Sequence, residues 1–260
     1  MRRERFINSS LLRGGPWARQ LQQALLSGPA EPDAWVEANA RTLKSDPYSR
    51  VGLIELEQQL CYLKFYRAKS PLQKLWFRMA RGRAVAAYDA ALALAANEVP
   101  VPEPRACLLV PGGSLLLTEG LGGSTDLKAL WLQSAAEVEG GRLLQCAGET
   151  IARLHRAGFA HGDCKWSNLQ WQGEALFLAD LEAVSSAAQG SGKQARDIAR
   201  FTVNAEDLGV GEGDYERFIR SYLAAAGGTR EALLALVRPP LEELRGRHLQ
   251  KYGERGSRLI

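Results

Sequence analysis

Apolar and polar positions alternate in the first half of the chain with the two-residue period of half-buried strands. The pattern predicts one pair of strands at 51–56 and 60–66, joined by a short polar turn. A second pair is predicted at 107–110 and 114–118, across a Pro-Gly-Gly turn typical of a hairpin. Between the pairs, residues 71–96 are rich in alanine and predict a helix. The first half is therefore expected to be a small sheet with a helix packed on it.

Helical spacing dominates the second half. The clearest apolar stripe predicts one face of a helix: Leu143, Leu144, Ala147, Ile151 and Leu154. Gly158 follows at the place of a left-handed C-terminal cap. A short apolar strand is predicted at 175–179, and the remainder after a Gly/Ser/Ala loop is expected to be helical. The second half is thus predicted to be mainly α-helical.

The glycine-rich run at 120–123 is the predicted hinge between these halves. Apolar spacing before it also predicts one or two short amphipathic helices near the N-terminus. The predicted organisation is a helical N-terminal extension at 1–44, a β-rich lobe at 45–119 and a helical lobe at 120–260.

Composition and charge exclude several classes of protein. The 260 residues are 46% hydrophobic and 24% charged, which is typical of a globular protein and excludes disordered and collagen-like chains. Uncharged runs such as 106–118 are shorter than the roughly 20 residues that cross a bilayer, so no transmembrane helix is predicted. The four cysteines form no C-x-x-C pair, which argues against a disulfide framework and a zinc site. No apolar signal core follows the basic N-terminus, and a cytoplasmic location is expected.

The polar residues at 161–168 read H-G-D-x-K-x-x-N, and an aspartate ends the next strand. Phosphoryl transfer needs a positioned hydroxyl, Mg²⁺ and cations around the phosphates. Asp163 would orient or accept the proton of the acceptor hydroxyl, and Lys165 would neutralise the moving phosphate. Asn168 and Asp180 are oxygen ligands of the kind that Mg²⁺ prefers. Lys64, on an upstream strand, would hold the other phosphates of ATP.

These motifs resemble the protein-kinase-like fold. The segments that carry the resemblance are 63–64, 117–119, 154–158, 161–168 and 178–180. Within that fold the chain resembles the lipopolysaccharide core kinases, which phosphorylate heptose or Kdo sugars of the Gram-negative inner core. The flanking stretches that look most like that family are 62–67, 99–104 and 193–200. The resemblance covers roughly residues 43–225 and implies an α+β, bilobal kinase-like fold with ATP and Mg²⁺ as cofactors.

The resemblance also implies roles for residues outside the H-G-D motif. Asp197 would begin the helix beneath the catalytic loop and tie down the backbone of that loop, and His161 would be the structural histidine of the loop. Glu119 and Leu121 would present backbone groups to adenine, with Thr118 at the rear of the nucleotide pocket. All of these positions carry over from the family's motif.

The chain departs from the family's pattern at three places. No G-x-G-x-x-G precedes Lys64, and the turn that would cover the phosphates contains Arg50, whose side chain would grip the triphosphate instead. The magnesium-binding segment at 180–182 lacks the usual glycine. Ala87 stands where a helix glutamate should pair with the lysine, with Asp89 as a possible substitute.

Residues 64–83 hold seven basic residues and no acidic one. Helical spacing places Leu72, Leu75, Trp76 and Met79 on one face, and Lys74, Arg78 and Arg81 on another. This pattern fits a basic helix that meets an anionic membrane surface, and it fits equally a helix that packs its apolar face inward.

The expected acceptor is a sugar of the lipopolysaccharide inner core, with peripheral contact to the cytoplasmic face of the inner membrane. No nucleic-acid-binding motif accompanies the net charge of +4, so no nucleic-acid partner is expected. Two alternatives stay open. One is a small-molecule kinase like the aminoglycoside phosphotransferases, and the other is a non-catalytic pseudokinase that binds lipid or a partner.

Overall fold

The computed structural model describes residues 7–70, 73, 79, 82–134, 139–253 and 256–260. The chain divides into two compact units. One comprises Met1–Ala93 with Pro102–Gly122, and the other comprises Leu94–Val101 with Gly123–Ile260. The last of the three division points, between Gly122 and Gly123, falls inside the glycine run at 120–123.

An antiparallel six-stranded sheet forms the first unit. Its strands are β1 (Ser10–Arg13), β2 (Arg41–Asp46), β3 (Ser49–Leu56), β4 (Gln59–Arg67), β5 (Pro104–Val110) and β6 (Gly113–Glu119). Their order across the sheet is β1-β5-β6-β4-β3-β2. The two predicted strand pairs are therefore confirmed, and they form the centre of this sheet.

Both hairpin turns are tighter than the sequence predicts. Only Glu57 and Gln58 join β3 to β4, and both residues have a positive φ. Positive φ at both positions gives a two-residue turn whose backbone twist matches the right-handed twist of the two strands. Pro111 and Gly112 join β5 to β6, and Gly113 belongs to the strand. A Cβ at Gly113 would lie 2.0 Å from a carbonyl oxygen of β4, so only glycine allows this approach.

The N-terminal segment is part of the sheet unit and differs from the predicted helical extension. It forms helices α1 (Gly15–Ala24) and α2 (Pro32–Asn39), and it also supplies β1 and β2. Its buried apolar residues share one core with the sheet: Ile7, Ala18, Leu21, Leu25, Trp35, Val36 and Ala40. The segment therefore helps to build the core of the first unit.

Helix α3 spans Arg83–Ala95, the C-terminal half of the predicted helix. Of the predicted basic helix, Leu72, Lys74, Leu75, Trp76, Arg78 and Arg81 lie outside the described residues. Met79 is described and is exposed.

Helices form most of the second unit. They are α4 (Leu127–Ser134), α5 (Glu139–Arg156), α6 (Gly192–Asp207), α7 (Glu212–Ala226) and α8 (Arg230–Tyr252). Three short strands, β7 (Thr125–Asp126), β9 (Leu169–Gln172) and β10 (Ala175–Leu178), form one antiparallel sheet. β8 (Phe159–Ala160) pairs with β11 (Ser185–Ser186). The predicted stripe of α5 is buried at all five positions, and Gly158 has the expected positive φ of 82°.

Aromatic side chains form the core beneath the 161–168 loop. Trp166 from that loop packs edge-on to Trp131 of α4 at 5.8 Å between ring centroids, and lies 5.1 Å from Phe201 of α6. Phe201 in turn stacks on Phe218 of α7 at 4.1 Å. One tryptophan thus packs the loop onto α4 and α6, and Phe201 extends this aromatic core to α7. None of the helices in the described part of the chain is long and apolar enough to cross a membrane.

Candidate active site

The loop at 161–168 leaves β8 through a tight backbone turn. Gly162 has a φ of 78°, and a Cβ there would lie 2.6 Å from the carbonyl oxygen of Ala183. This position therefore needs glycine both for its conformation and for the close approach. The loop ends in a single 3₁₀ turn, Trp166–Asn168, which leads directly into β9.

Asp197 of α6 holds the start of this loop. Its carboxylate is 2% exposed and accepts hydrogen bonds from the backbone N–H groups of His161 at 2.5 Å and Gly162 at 2.9 Å. His155 Nε2 lies 3.3 Å from the same carboxylate. The loop backbone is thus fixed to a helix by a buried charge, as the resemblance implies, although Asp197 lies in the second turn of α6.

His161 links the loop to the segment that carries Asp180. Its Nε2 donates to the carbonyl oxygen of Ala179 at 3.0 Å, and its Nδ1 accepts from the backbone N–H of Asp163 at 3.3 Å. These bonds assign the proton to Nε2 of a neutral ring. Complete burial lowers the pKa of His161, which keeps the ring neutral.

Asp163 lies among positively charged and amide groups. Its Oδ1 lies 2.6 Å from Nη1 of Arg200, and its Oδ2 lies 2.9 Å from Nζ of Lys165. Asn168 Nδ2 donates to the same Oδ2 at 3.1 Å. Burial alone would raise the pKa of Asp163, but Lys165, Arg200 and Asn168 outweigh it and lower the pKa. Asp163 is therefore held as a carboxylate.

Asn168 and Asp180 have the chemistry of a magnesium site. The amide NH₂ of Asn168 donates to Asp163, so its Oδ1 is the atom that can face a cation. Asp180 has left-handed backbone angles, φ 61° and ψ 55°, which are uncommon for a non-glycine residue and are enriched at functional positions. No group of three or more His, Cys, Asp or Glu side chains suited to a metal occurs in the described ranges. Two protein oxygens fit Mg²⁺, which is usually bound by one or two side chains and substrate phosphates.

The predicted nucleotide-binding residues lie in the first unit. Lys64 is buried on β4, with its Nζ 4.7 Å from the ring centroid of Tyr66. Thr118 and Glu119 end β6, where the hydroxyl of Thr118 donates to the carbonyl oxygen of Glu119 at 3.2 Å. Leu121 follows them and is half-buried.

Arg50, which was predicted to hold the triphosphate, and Asp89, the possible ion-pair partner of Lys64, have other partners in the structure. Arg50 pairs with two acidic residues of α2, at 2.9 Å to Asp33 and 3.1 Å to Glu37. Asp89 receives both bonds of a bidentate pair from Arg13, at 2.8 and 3.0 Å. Each side chain would have to leave these partners to take the predicted role.

Sequence reasoning missed Arg200, Asn204 and the packing role of Trp166. Asn204 Oδ1 accepts the backbone N–H of Trp166 at 3.0 Å, and the indole N–H donates to a backbone carbonyl of α6 at 3.1 Å. Helical spacing could have indicated Arg200 and Asn204. They follow Asp197 by three and seven residues and therefore lie on the same face of the helix.

Residues 33–222 match the model of the lipopolysaccharide kinase (Kdo/WaaP) family. The match covers well over half of the chain. The chain belongs to the lipopolysaccharide kinase (Kdo/WaaP) family. The matched region includes the H-G-D loop at 161–168 and Asp180.

One solved structure similar to this member of the Kdo/WaaP family is described as WaaP in complex with acyl carrier protein. The two share 19% sequence identity at a TM-score of 0.62, over 94% of this chain and 99% of the other. At that identity the likeness shows the fold. No curated protein matches the sequence.

The family and the fold together confirm the main expectations. The protein has the α+β, bilobal kinase-like fold, and it is a lipopolysaccharide kinase and thus a phosphotransferase.

Proposed function

We propose that this protein transfers the γ-phosphate of ATP to a hydroxyl of a heptose or Kdo sugar in the lipopolysaccharide inner core. The observation that carries the proposal is the environment of Asp163. A carboxylate on a backbone-anchored loop, contacted by Lys165, Arg200 and Asn168, is suited to orient a hydroxyl beside a phosphate. Family membership supports the lipopolysaccharide acceptor.

The chemistry follows from the charges around Asp163. Phosphoryl transfer passes through a loose transition state in most analyses, so catalysis is mainly positioning and charge stabilisation. A carboxylate whose pKa is lowered is a weak base, and its main task is therefore to orient the acceptor hydroxyl before it accepts the proton. Lys165, 40% exposed, is long enough to turn from Asp163 to the transferring phosphate. Asn168 and Asp180 would hold Mg²⁺, which neutralises the phosphate charge when bound.

Lys64, Thr118, Glu119 and Leu121 are proposed to bind ATP, with Lys64 on the phosphates and the end of β6 on adenine. Arg50 is proposed as an additional phosphate ligand that exchanges its carboxylate partners for the triphosphate. Both proposals rest on the family resemblance and on the positions of these residues in β4, β6 and β3.

The acceptor also defines the proposed location and partners. An inner-core sugar attached to lipid is reached from the cytoplasmic face of the inner membrane, where the enzyme would act in peripheral contact. A net charge of +4 favours an anionic acceptor over a cationic one. No nucleic acid is part of the proposal.

The test is transfer of labelled γ-phosphate from Mg-ATP to purified, under-phosphorylated core lipopolysaccharide. Asp163→Asn is compared with Asp207→Asn, a matched change at the end of α6. We expect labelled core with the wild type and with Asp207→Asn, and a loss of about 100-fold or more with Asp163→Asn.

Other results would overturn the proposal in distinct ways. Label on an aminoglycoside but not on the core would replace the acceptor. A folded protein that binds core lipid but neither transfers nor hydrolyses phosphate would be a pseudokinase.

A further inference from the structure

Arg200 contacts the carboxylate of Asp163 from the helix that also anchors the loop. Its Nη1 lies 2.6 Å from Oδ1 of Asp163, and both side chains are about two-thirds buried. Arg200 lies three residues after Asp197, on the same face of α6. The loop backbone and the Asp163 side chain are therefore both fixed to one helix.

The two oxygens of Asp163 have different partners. Oδ1 is contacted by Arg200, whereas Oδ2 is contacted by Lys165 and by the amide of Asn168. Lys165 belongs to the loop itself and is the most exposed of these groups. A guanidinium on a helix is the more rigid partner, because its planar donors keep a fixed geometry toward a carboxylate.

We propose that Arg200 is a positioning residue for the phosphoryl transfer. It holds Oδ1 of Asp163 and so turns Oδ2 toward the acceptor hydroxyl once Lys165 leaves that oxygen for the phosphate. This inference rests on the proposed function, and it assigns a separate task to each oxygen of the catalytic carboxylate. Arg200 acts through Asp163 and binds neither ATP nor magnesium.

A neighbouring arginine on the same helix provides a matched control. Arg196 lies one turn before Arg200 and pairs with Glu243 of α8 at 2.7 Å, with both side chains of the pair at least one-third exposed. Removing Arg196 deletes a guanidinium and an ion pair from α6 without touching the loop. Exposed pairs of this kind contribute little to stability.

The first experiment measures kcat and the KM for ATP of Arg200→Met, Arg200→Lys and Arg196→Met, together with their unfolding midpoints. We expect Arg200→Met to lower kcat by about 10- to 100-fold, the cost of a misplaced catalytic group, with the KM for ATP within about twofold. Arg200→Lys keeps a donor and should recover part of the loss. Arg196→Met should stay within about twofold of the wild type in both constants.

Two further measurements separate positioning from general structure. Added guanidinium at low millimolar concentration should restore turnover of Arg200→Ala, whereas equal urea should not. Arg200→Met added to Asp163→Asn should cause no further loss, because the arginine acts through that carboxylate. The proposal would be overturned if the losses of turnover in Arg200→Met and Asp163→Asn added in full in the double variant. It would also be overturned if the main effect of Arg200→Met were a raised KM for ATP. If Arg200→Met does not fold, Arg200→Lys and the Arg200→Ala rescue decide the question.

Failure of the proposed function would be seen separately. If the wild type phosphorylates no core sugar, the proposed acceptor is wrong. The Arg200 inference is then tested on the carboxyl ¹³C signal of Asp163 at pH 7.5, assigned with Asp163→Asn. That signal should move in Arg200→Met and stay in place in Arg196→Met. An unmoved signal in Arg200→Met would overturn the inference.

Discussion

Replacement of Asp197 by asparagine should uncouple the catalytic loop from its helix. The carboxylate is almost fully buried and accepts two backbone N–H bonds, one on each oxygen. Asparagine has nearly the same size but offers a single acceptor oxygen. One backbone N–H, of His161 or of Gly162, would then face an amide NH₂ instead of an acceptor.

The expected magnitude follows from that one lost bond. A hydrogen bond to a charged group contributes about 1.5–3 kcal/mol, and a buried donor left without an acceptor costs a similar amount. At roughly 2–4 °C per kcal/mol for a chain of this size, the unfolding midpoint should fall by about 3–12 °C. Turnover should fall by about 100-fold, because the displaced backbone carries Asp163.

Unfolding is followed by calorimetry and turnover by phosphate transfer, both at pH 7.5. Asp207→Asn is the control, since Asp207 ends the same helix and lies 3.0 Å from His248, away from the loop. The anchoring argument fails if Asp197→Asn remains within about 1 °C and twofold of the wild type.

Two further predictions concern the same loop. Gly162→Ala combines a left-handed backbone with a Cβ placed 2.6 Å from a carbonyl oxygen, whereas Gly173→Ala has a φ of 60° and no heavy atom within 4 Å. Gly162→Ala should therefore lower the free energy of unfolding by about 1–3 kcal/mol more than the Gly173→Ala control does. Denaturant unfolding measures this difference, and equal losses in the two variants would contradict the clash. Burial lowers the pKa of His161, so the unfolded chain binds a proton there more readily than the folded protein. The stability contributed by this histidine is present above pH 6.5 and is lost as the pH falls below that value, by at most about 1.4 kcal/mol per pH unit. The stability gap between wild type and His161→Asn, measured by denaturant unfolding from pH 7.5 to 5, should narrow on acidification; a constant or wider gap would refute this.

The central strands could be predicted, and the loop at 161–168 could be proposed as the catalytic loop, because their signals are local. Alternation in β3 and β4, and the fixed spacing of Asp163, Lys165 and Asn168, are visible within a few residues of chain. β1 and β2 gave no such signal. Both are short and mostly exposed, so their side chains do not alternate between core and solvent. β1 exists through its pairing with β5, which lies far away in sequence.

The partners of charged side chains could not be predicted either. The sequence places Arg50 in the turn expected to cover the phosphates, yet in the structure it pairs with Asp33 and Glu37. Asp89 follows the position of the missing helix glutamate, yet its partner is Arg13. Such pairs depend on which surfaces the fold brings together, and a motif comparison contains no information about that.

Helix α6 explains why the chemistry of the loop depends on residues outside the loop. Asp197 fixes its first backbone groups, Arg200 fixes the carboxylate of Asp163, and Asn204 fixes the backbone of Trp166. These three contacts follow one another along a single helix face, at intervals of three and four residues. A rigid helix therefore sets the position of the loop at three points along its length. In the proposed mechanism the loop motif supplies the reactive groups, and the spacing of polar residues on α6 determines whether those groups are held in place for the reaction.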